Sequence, residues 1–405
     1  MAEHPSSASD AQEPTGIVSA GIAKALAGLA ALAVAMGIGR FAFTPVLPMM
    51  LQDASLSISS GGLLASANYL GYLLGALSAI AVRIRPERAI RGGLLVIGAV
   101  TLAMAWPLPF AVWALLRLLA GVASAWVLIS VSAWCMESLA GYRRPFLNSL
   151  VFAGVGTGIA SAGLVCIALI DGNASSAHAW SALGALSFIV TAMIWRFFPS
   201  AASSAGTAKA TAAPQRYRWD ARSVRLVLCY GVFGFGYIIP ATFLPVMARN
   251  ALQGSPLFGW SWPVFGLAAA LSTLATAALV RRMDNIGVWI ASHIVMAVGV
   301  VLPVIWPGLA AIFAAALCVG GTFMVITLVA LQEAKRVAGA SGTVLIAAMT
   351  SAFAAGQIIG PLTVSAGTGS NGGFSLALVI AAVLLAGSAA LLAAGRNMEG
   401  KGAVT

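Results

Sequence analysis

Twelve long apolar runs, separated by short polar segments, organise the chain. They cover 22–50, 60–82, 90–106, 110–136, 146–170, 178–198, 224–247, 258–280, 287–306, 308–332, 342–366 and 374–395. A helix crossing a bilayer needs about 20 mostly apolar residues. In lipid, each backbone N–H and C=O must be satisfied within its own segment, which favours helices. A β-barrel would show short alternating strands, and these runs are long and continuously apolar. The pattern predicts an all-α membrane protein with twelve transmembrane helices.

Composition agrees with that reading. Of 405 residues, 60% are apolar and 8% charged, against about 25% charged in a soluble domain. The net charge of +11 raises the question of nucleic acid, but the Lys and Arg sit in clusters between apolar runs and form no basic domain face. Of the 22 basic residues, 19 fall at the termini, in the connections after runs 2, 4, 6, 8 and 10, or in the helix ends beside them. They include Arg83, Arg85, Arg88, Arg143, Arg144, Arg281, Arg282, Lys335 and Arg336. The connections on the opposite side hold Arg249 alone. By the positive-inside rule both termini lie in the cytoplasm. The first 20 residues are polar and Ser-rich without the basic start of a signal peptide, so they are expected to stay in the mature protein.

The connection 199–222 contains an Ala/Ser/Thr tract, Ser200 to Ala213, with the composition of a flexible linker. It divides the chain into a cytoplasmic tail (1–20), a six-helix bundle (21–198), the linker, a second bundle (223–396) and a second tail (397–405). A shift of 197 residues places Gly37, Gly39, Leu47, Pro48 and Met50 on Gly234, Gly236, Leu244, Pro245 and Met247. Glu137 and Glu333 add a second echo. Parallel six-helix repeats about an axis along the membrane normal form one of the known transporter architectures.

The stretch Gly37-Ile-Gly-Arg-Phe-Ala-Phe-Thr-Pro-Val-Leu-Pro48 resembles the first helix of the YbfB/YjiJ-like bacterial branch of the major facilitator superfamily. Gly62-Leu-Leu-Ala-Ser-Ala-Asn-Tyr-Leu-Gly-Tyr-Leu-Leu-Gly75 resembles its second, and Arg117-Leu-Leu-Ala-Gly121 is similar to the superfamily's helix-four Arg-x-x-x-Gly pattern. The resemblance implies two six-helix bundles related by a pseudo-twofold axis, alternating-access transport across the bacterial inner membrane, and a buried Arg117 bonded to helix one. It also implies that helices 2, 5, 8 and 11 line the seam between the halves, with Gly71, Gly75, Gly154, Gly156, Gly158, Gly356 and Gly360 allowing close approach there. One departure stands out. The superfamily's Asp-Arg-x-Gly-Arg loop reads Arg83-Ile-Arg-Pro-Glu-Arg88 here, and Arg281-Arg-Met-Asp-Asn-Ile-Gly287 keeps a fragment in the second half.

Arg40 is the clearest chemical anomaly. An Arg at the centre of a span costs about 2.5–3.5 kcal/mol on insertion scales, so water, a partner or a bound anion must compensate. One reading is a guanidinium that takes a substrate carboxylate or phosphate in paired hydrogen bonds. The other is an Arg satisfied by backbone carbonyls at the Pro45/Pro48 break. Arg117 is a second intramembrane Arg at about the same depth, either a switch element or a structural tie. The eleven Asp and Glu all sit at termini, loops or helix ends. A cavity with buried cations and no buried acid favours an anionic or zwitterionic solute.

Asn68, Trp126, Tyr237 and Gln357 complete the candidate substrate-binding set with Arg40 and Arg117; Tyr69 and Tyr72 are further polar aromatics, and Tyr237 is the repeat counterpart of Arg40. His293 is expected near the interface on a peripheral helix. The four cysteines lie in apolar runs without CxxC spacing, so no metal or cofactor is expected. No HExxH, GxSxG or paired carboxylate suggests an enzyme. The partners expected are a small-molecule substrate, a coupled proton as an option, and the lipid bilayer; nucleic acid is excluded, and the expected state is a monomer. Two alternatives stay open: a proton-linked exporter of neutral or amphiphilic compounds, and a transport-inactive receptor.

Overall fold

The computed structural model describes residues 15–82, 84–142, 145–199, 219–251, 256–306, 308–339, 342–367 and 373–402. The linker tract, both extreme termini, Arg143 and Arg144 lie outside these ranges. The described residues form α1 (Thr15–Leu32), a π-helical stretch (Ala33–Ile38), α2 (Phe43–Asp53), α3 (Ile58–Ala81), α4 (Pro86–Ala103), α5 (Phe110–Ser138), α6 (Pro145–Asp171) and α7 (Ser176–Ile194). After the linker come α8 (Ala221–Ala251), α9 (Ser261–Leu279), α10 (Asn285–Ile305), α11 (Leu309–Ala338), α12 (Gly342–Gly367) and α13 (Gly373–Gly402).

Ten described helical stretches are long and apolar enough to cross a membrane, the first being Ser19–Asp53 taken as one. Ile58–Ala81 and Pro86–Ala103 are helical but not among the ten. The first carries Ser59, Ser60, Ser66, Asn68 and Ser78, and the second opens with Glu87, Arg88 and Arg91.

Sequence punctuation explains the helix ends. Ser57 caps α3 by accepting from the Ser60 N–H at 3.0 Å. Asp53, at the end of α2, accepts from the Ser176 N–H at 2.5 Å and from its hydroxyl at 2.7 Å. A carboxylate there complements the N-terminal dipole of α7. Gly339 ends α11 at φ 50°, a conformation that favours glycine.

α8 is central. Buried positions make up 78% of its most apolar window, against 39% for α13, whose Leu376 and Val383 point outward. α3 packs on α5 and on α12, α6 on α1 and on α9, and α8 on α12 and α13. The α3–α12 and α6–α9 contacts join the part before the linker to the part after it. Gly156 approaches the backbone of Gly266 and Ala270 on α9, so it lies on that seam. Other glycines expected there do not. Gly71 and Gly75 face Leu118 and Val122 of α5, Gly154 and Gly158 face Leu29 and Ala33, and Gly356 and Gly360 face α8. Helix contacts within each half are as tight as the seam itself, and they consume most of the small residues.

Candidate functional site

The first apolar run is not one continuous α-helix, and the interruption builds the site. Gly39 N–H bonds Val34 O at 2.9 Å and Phe41 N–H bonds Met36 O at 3.0 Å, a five-residue spacing. The Thr44 N–H turns to Phe41 O at 3.1 Å, and Pro45 has no N–H to offer. The ladder therefore breaks around Gly39 and Arg40, as π-type insertions commonly do at functional positions.

The carbonyls released by the break are taken up by side chains. Arg117 of α5 donates from Nη2 to Arg40 O at 3.0 Å and from Nη1 to Gly39 O at 3.4 Å. Asn68 of α3 donates to Gly39 O at 3.3 Å and to Arg117 O at 2.8 Å. Asn68 and Arg117 thus hold the backbone that presents Arg40. Both are buried, and the Arg117 guanidinium lies over Phe43 at 5.1 Å from the ring centroid.

The Arg40 side chain turns the other way, toward the second half of the chain. It is 2% exposed. Its Nη2 donates to Gln357 Oε1 on α12, and Gln357 Nε2 donates to the Tyr237 hydroxyl on α8. The guanidinium sits 3.7 Å from the Tyr72 ring centroid and 5.4 Å from that of Tyr69, in the range of cation–π attraction. Its Nε and Nη1 have no hydrogen-bond acceptor among the described residues. Arg40 is thus not satisfied by the carbonyls of the Pro45/Pro48 break; those accept from Arg117, Asn68 and Arg249.

Around this chain lies an aromatic wall that sequence reasoning missed. Tyr237 stacks on Phe323 and on Phe353, each at 5.6 Å with interplanar angles of 2° and 9°. Phe41 meets Phe323 at 6.3 Å and Trp262 at 6.4 Å. Nothing in a Leu- and Ala-rich run distinguishes these rings from ordinary core. Trp126 stands apart: it is half-buried and donates to Ser78 Oγ at 3.0 Å, on the α3–α5 contact.

From Arg40 along α2, further hydrogen bonds cross between the halves. Thr44 donates to Ala241 O at 2.7 Å, Tyr69 pairs with Thr242 at 2.9 Å, and Ser66 donates to Ile358 O at 3.1 Å. Ser365 donates to Ser59 O at 3.1 Å, and Arg249 to Pro48 O at 2.5 Å. Beyond the last of these, Pro48, Gln52, Asp53, Asn173, Arg249 and Phe258 help line a cavity of about 400 Å³.

At the opposite end Glu333, buried, pairs with Arg222 and with Arg336, each at 2.8 Å. Its sequence echo Glu137 is exposed. His293 is not peripheral. It is fully buried, bonds Trp289 O at 3.2 Å, and lies 6.2 Å from Phe233 and 6.0 Å from Trp289. The face of α10 that carries it turns inward, toward α8.

With this arrangement in view, the comparisons decide the family. The model described as "Uncharacterised MFS-type transporter YbfB" matches residues 32–393. The chain belongs to this family. It is therefore a multi-pass membrane transporter of the major facilitator type and not an enzyme. No curated protein matches the chain. Among solved structures, a crystal structure of a mutant of the nucleoside transporter NupG superposes with a TM-score of 0.70 at 16% identity, over 92% of this chain and 99% of that one. A likeness at that identity speaks to the fold. The family match covers the interrupted first helix from the π-helical stretch onward, with Arg40, Arg117, Tyr237 and Gln357 all inside it.

Proposed function

We propose that the chain is an alternating-access carrier of a small organic anion or zwitterion, with Arg40 as the anchor. Twelve spans form two bundles, 21–198 and 223–396, related by a pseudo-twofold axis along the membrane normal. The termini and the linker 199–222 face the cytoplasm of a bacterial inner membrane. Arg40 supports the substrate class: it is 2% exposed, its side-chain partner Gln357 is neutral, and Nε and Nη1 have no acceptor among the described residues. The two bidentate edges of a guanidinium, Nε with Nη2 and Nη1 with Nη2, each pair one of these groups with Nη2, so a carboxylate or phosphate taken in two parallel bonds shares Nη2 with Gln357 or displaces it. Gln357 and Tyr237 reach the same group from the second bundle, so an anion held there touches both halves.

The deciding experiment is a binding screen on purified protein. Acetate, lactate, benzoate and inorganic phosphate are compared with neutral sugars and quaternary amines by thermal stability and by equilibrium binding. At least one anion should stabilise the parent, and Arg40→Gln should abolish that effect while still folding in the membrane. If Arg40→Gln binds the same anion as well as the parent, or only a cation binds, Arg40 is a structural residue.

A further inference from the structure

We infer that this carrier is an anion exchanger, in which the step returning the site across the membrane requires a second anion in place of the first. The inference rests on the reading of Arg40 as the substrate anchor, and it concerns what happens once the substrate has left.

The chain brings two permanent positive charges to mid-membrane depth, since a guanidinium does not deprotonate in a protein. Among the described residues no carboxylate contacts either guanidinium. The Arg40 side chain contacts Gln357 and the rings of Tyr72, Tyr69 and Phe41. Arg117 contacts the carbonyls of Gly39 and Arg40 and the rings of Phe43 and Trp180. All of these are neutral. Among the described residues the buried acid is Glu333, and both its oxygens are engaged at the other end of α11 by Arg222, Arg336 and Asn285.

Alternating access passes the site through a closed state in which neither side supplies water. With an anion on Arg40 that guanidinium crosses as a neutral pair, while Arg117, bonded to the Gly39 and Arg40 carbonyls, carries its charge in both the loaded and the unloaded state. With the anion gone, the same movement carries an uncompensated buried charge, which is strongly unfavourable when one member of a pair is missing. A proton cannot substitute, because protonating a neighbour adds positive charge. His293, the titratable ring in α10, is packed on Phe233 and Trp289 and bonded to Trp289 O, with no contact to Arg40. The loaded carrier therefore moves readily in both directions and the unloaded carrier does not. One anion in for one anion out of equal charge follows, with no net charge moved.

The test is flux in proteoliposomes containing the full chain, with radiolabelled acetate, benzoate and inorganic phosphate as separate probes outside. Vesicles hold either the same unlabelled anion or an impermeant buffer with none. Exchange predicts uptake at least about tenfold faster into anion-loaded vesicles, little response to an imposed proton gradient, and release of labelled anion from inside only when anion is present outside. Equal uptake into loaded and unloaded vesicles, or uptake driven by a proton gradient without internal anion, overturns exchange and leaves Arg40 as an anion anchor. Flux of a neutral sugar or quaternary amine with none of the three anions overturns the anchor reading and exchange together.

Discussion

Thr44 and Ala241 touch across the seam, the Thr44 hydroxyl donating to the Ala241 carbonyl at 2.7 Å, and they stand 197 positions apart. That is the offset which places Gly37 on Gly234 and Pro48 on Pro245. Equivalent positions of two repeats meet one another only close to the axis relating them, as at any isologous contact. Under the proposed pseudo-twofold relation, the axis would then run between α2 and α8. Thr44→Cys combined with Ala241→Cys should be joined by a short bifunctional reagent, and joining them should stop flux until the link is cleaved. Full flux through the linked protein would mean the seam does not open here.

Topology is testable separately. If the basic connections are cytoplasmic, Gly172→Cys should react with an impermeant thiol reagent in intact cells. Arg88→Cys and Met283→Cys, both exposed in the fold, should react only after permeabilisation. A swapped result at any one site would break the span count at that connection.

Much of this was legible in the sequence because membrane insertion leaves coarse signals. Apolar length and basic clusters set the helices, and the rarity of a mid-span Arg drew attention to Arg40 and Arg117. The break in the first helix was half-legible. Pro45 and Pro48 announced it, but the five-residue backbone spacing from Val34 to Phe41 depends on Arg117 and Asn68 arriving from other helices to take the freed carbonyls. The Arg40–Gln357–Tyr237 chain was not derivable, because it joins residues 317 and 120 positions apart. Glu137 and Glu333 echo each other in position but differ in burial, because ion pairing at Glu333 depends on Arg222 and Arg336, and no local pattern fixes such partners.

Arg117 should behave as a positioning residue. Arg117→Gln removes the donors to Gly39 O and Arg40 O; Asn68 still reaches Gly39 O, but Arg40 O loses its side-chain donor, and a buried acceptor left unmet costs about 1–3 kcal/mol. The expected result is a lower melting temperature and slower flux, with a smaller loss of anion affinity than in Arg40→Gln. An affinity loss equal to that of Arg40→Gln, with unchanged melting temperature, would place Arg117 in direct contact with the ligand.

Glu333→Gln tests the opposite end of the fold. It cancels the pair to Arg222, which ties the start of α8 to the end of α11, and the pair to Arg336 within α11. The two cations are 27% and 62% exposed in their side chains, so water recovers much of their solvation and the loss should be about 1 kcal/mol. Anion affinity should be unchanged, because the cluster lies away from Arg40. A loss of affinity without a loss of stability would show that the cluster reaches the central site.

The last prediction concerns competition at Arg40. Gln357 supplies the neutral acceptor that now occupies Nη2, and a bound anion must either share the guanidinium with it or displace it. Gln357→Leu is close in size and removes the acceptor. The variant should lose about 1–3 kcal/mol of stability, since a buried Arg is left with fewer partners. Whichever anion stabilises the parent should then raise the variant's melting temperature by more than it raises the parent's, because the ligand no longer competes for Nη2 and meets a larger unmet demand. Tyr237→Phe removes the hydroxyl at the far end of the same chain and frees Gln357 while leaving it in place, so its effect should have the same sign and be smaller. The measurement is melting temperature against anion concentration for the parent and both variants. A smaller anion response in Gln357→Leu than in the parent would mean that Gln357 holds the ligand directly, and that the clasp across the seam closes on the substrate instead of yielding to it.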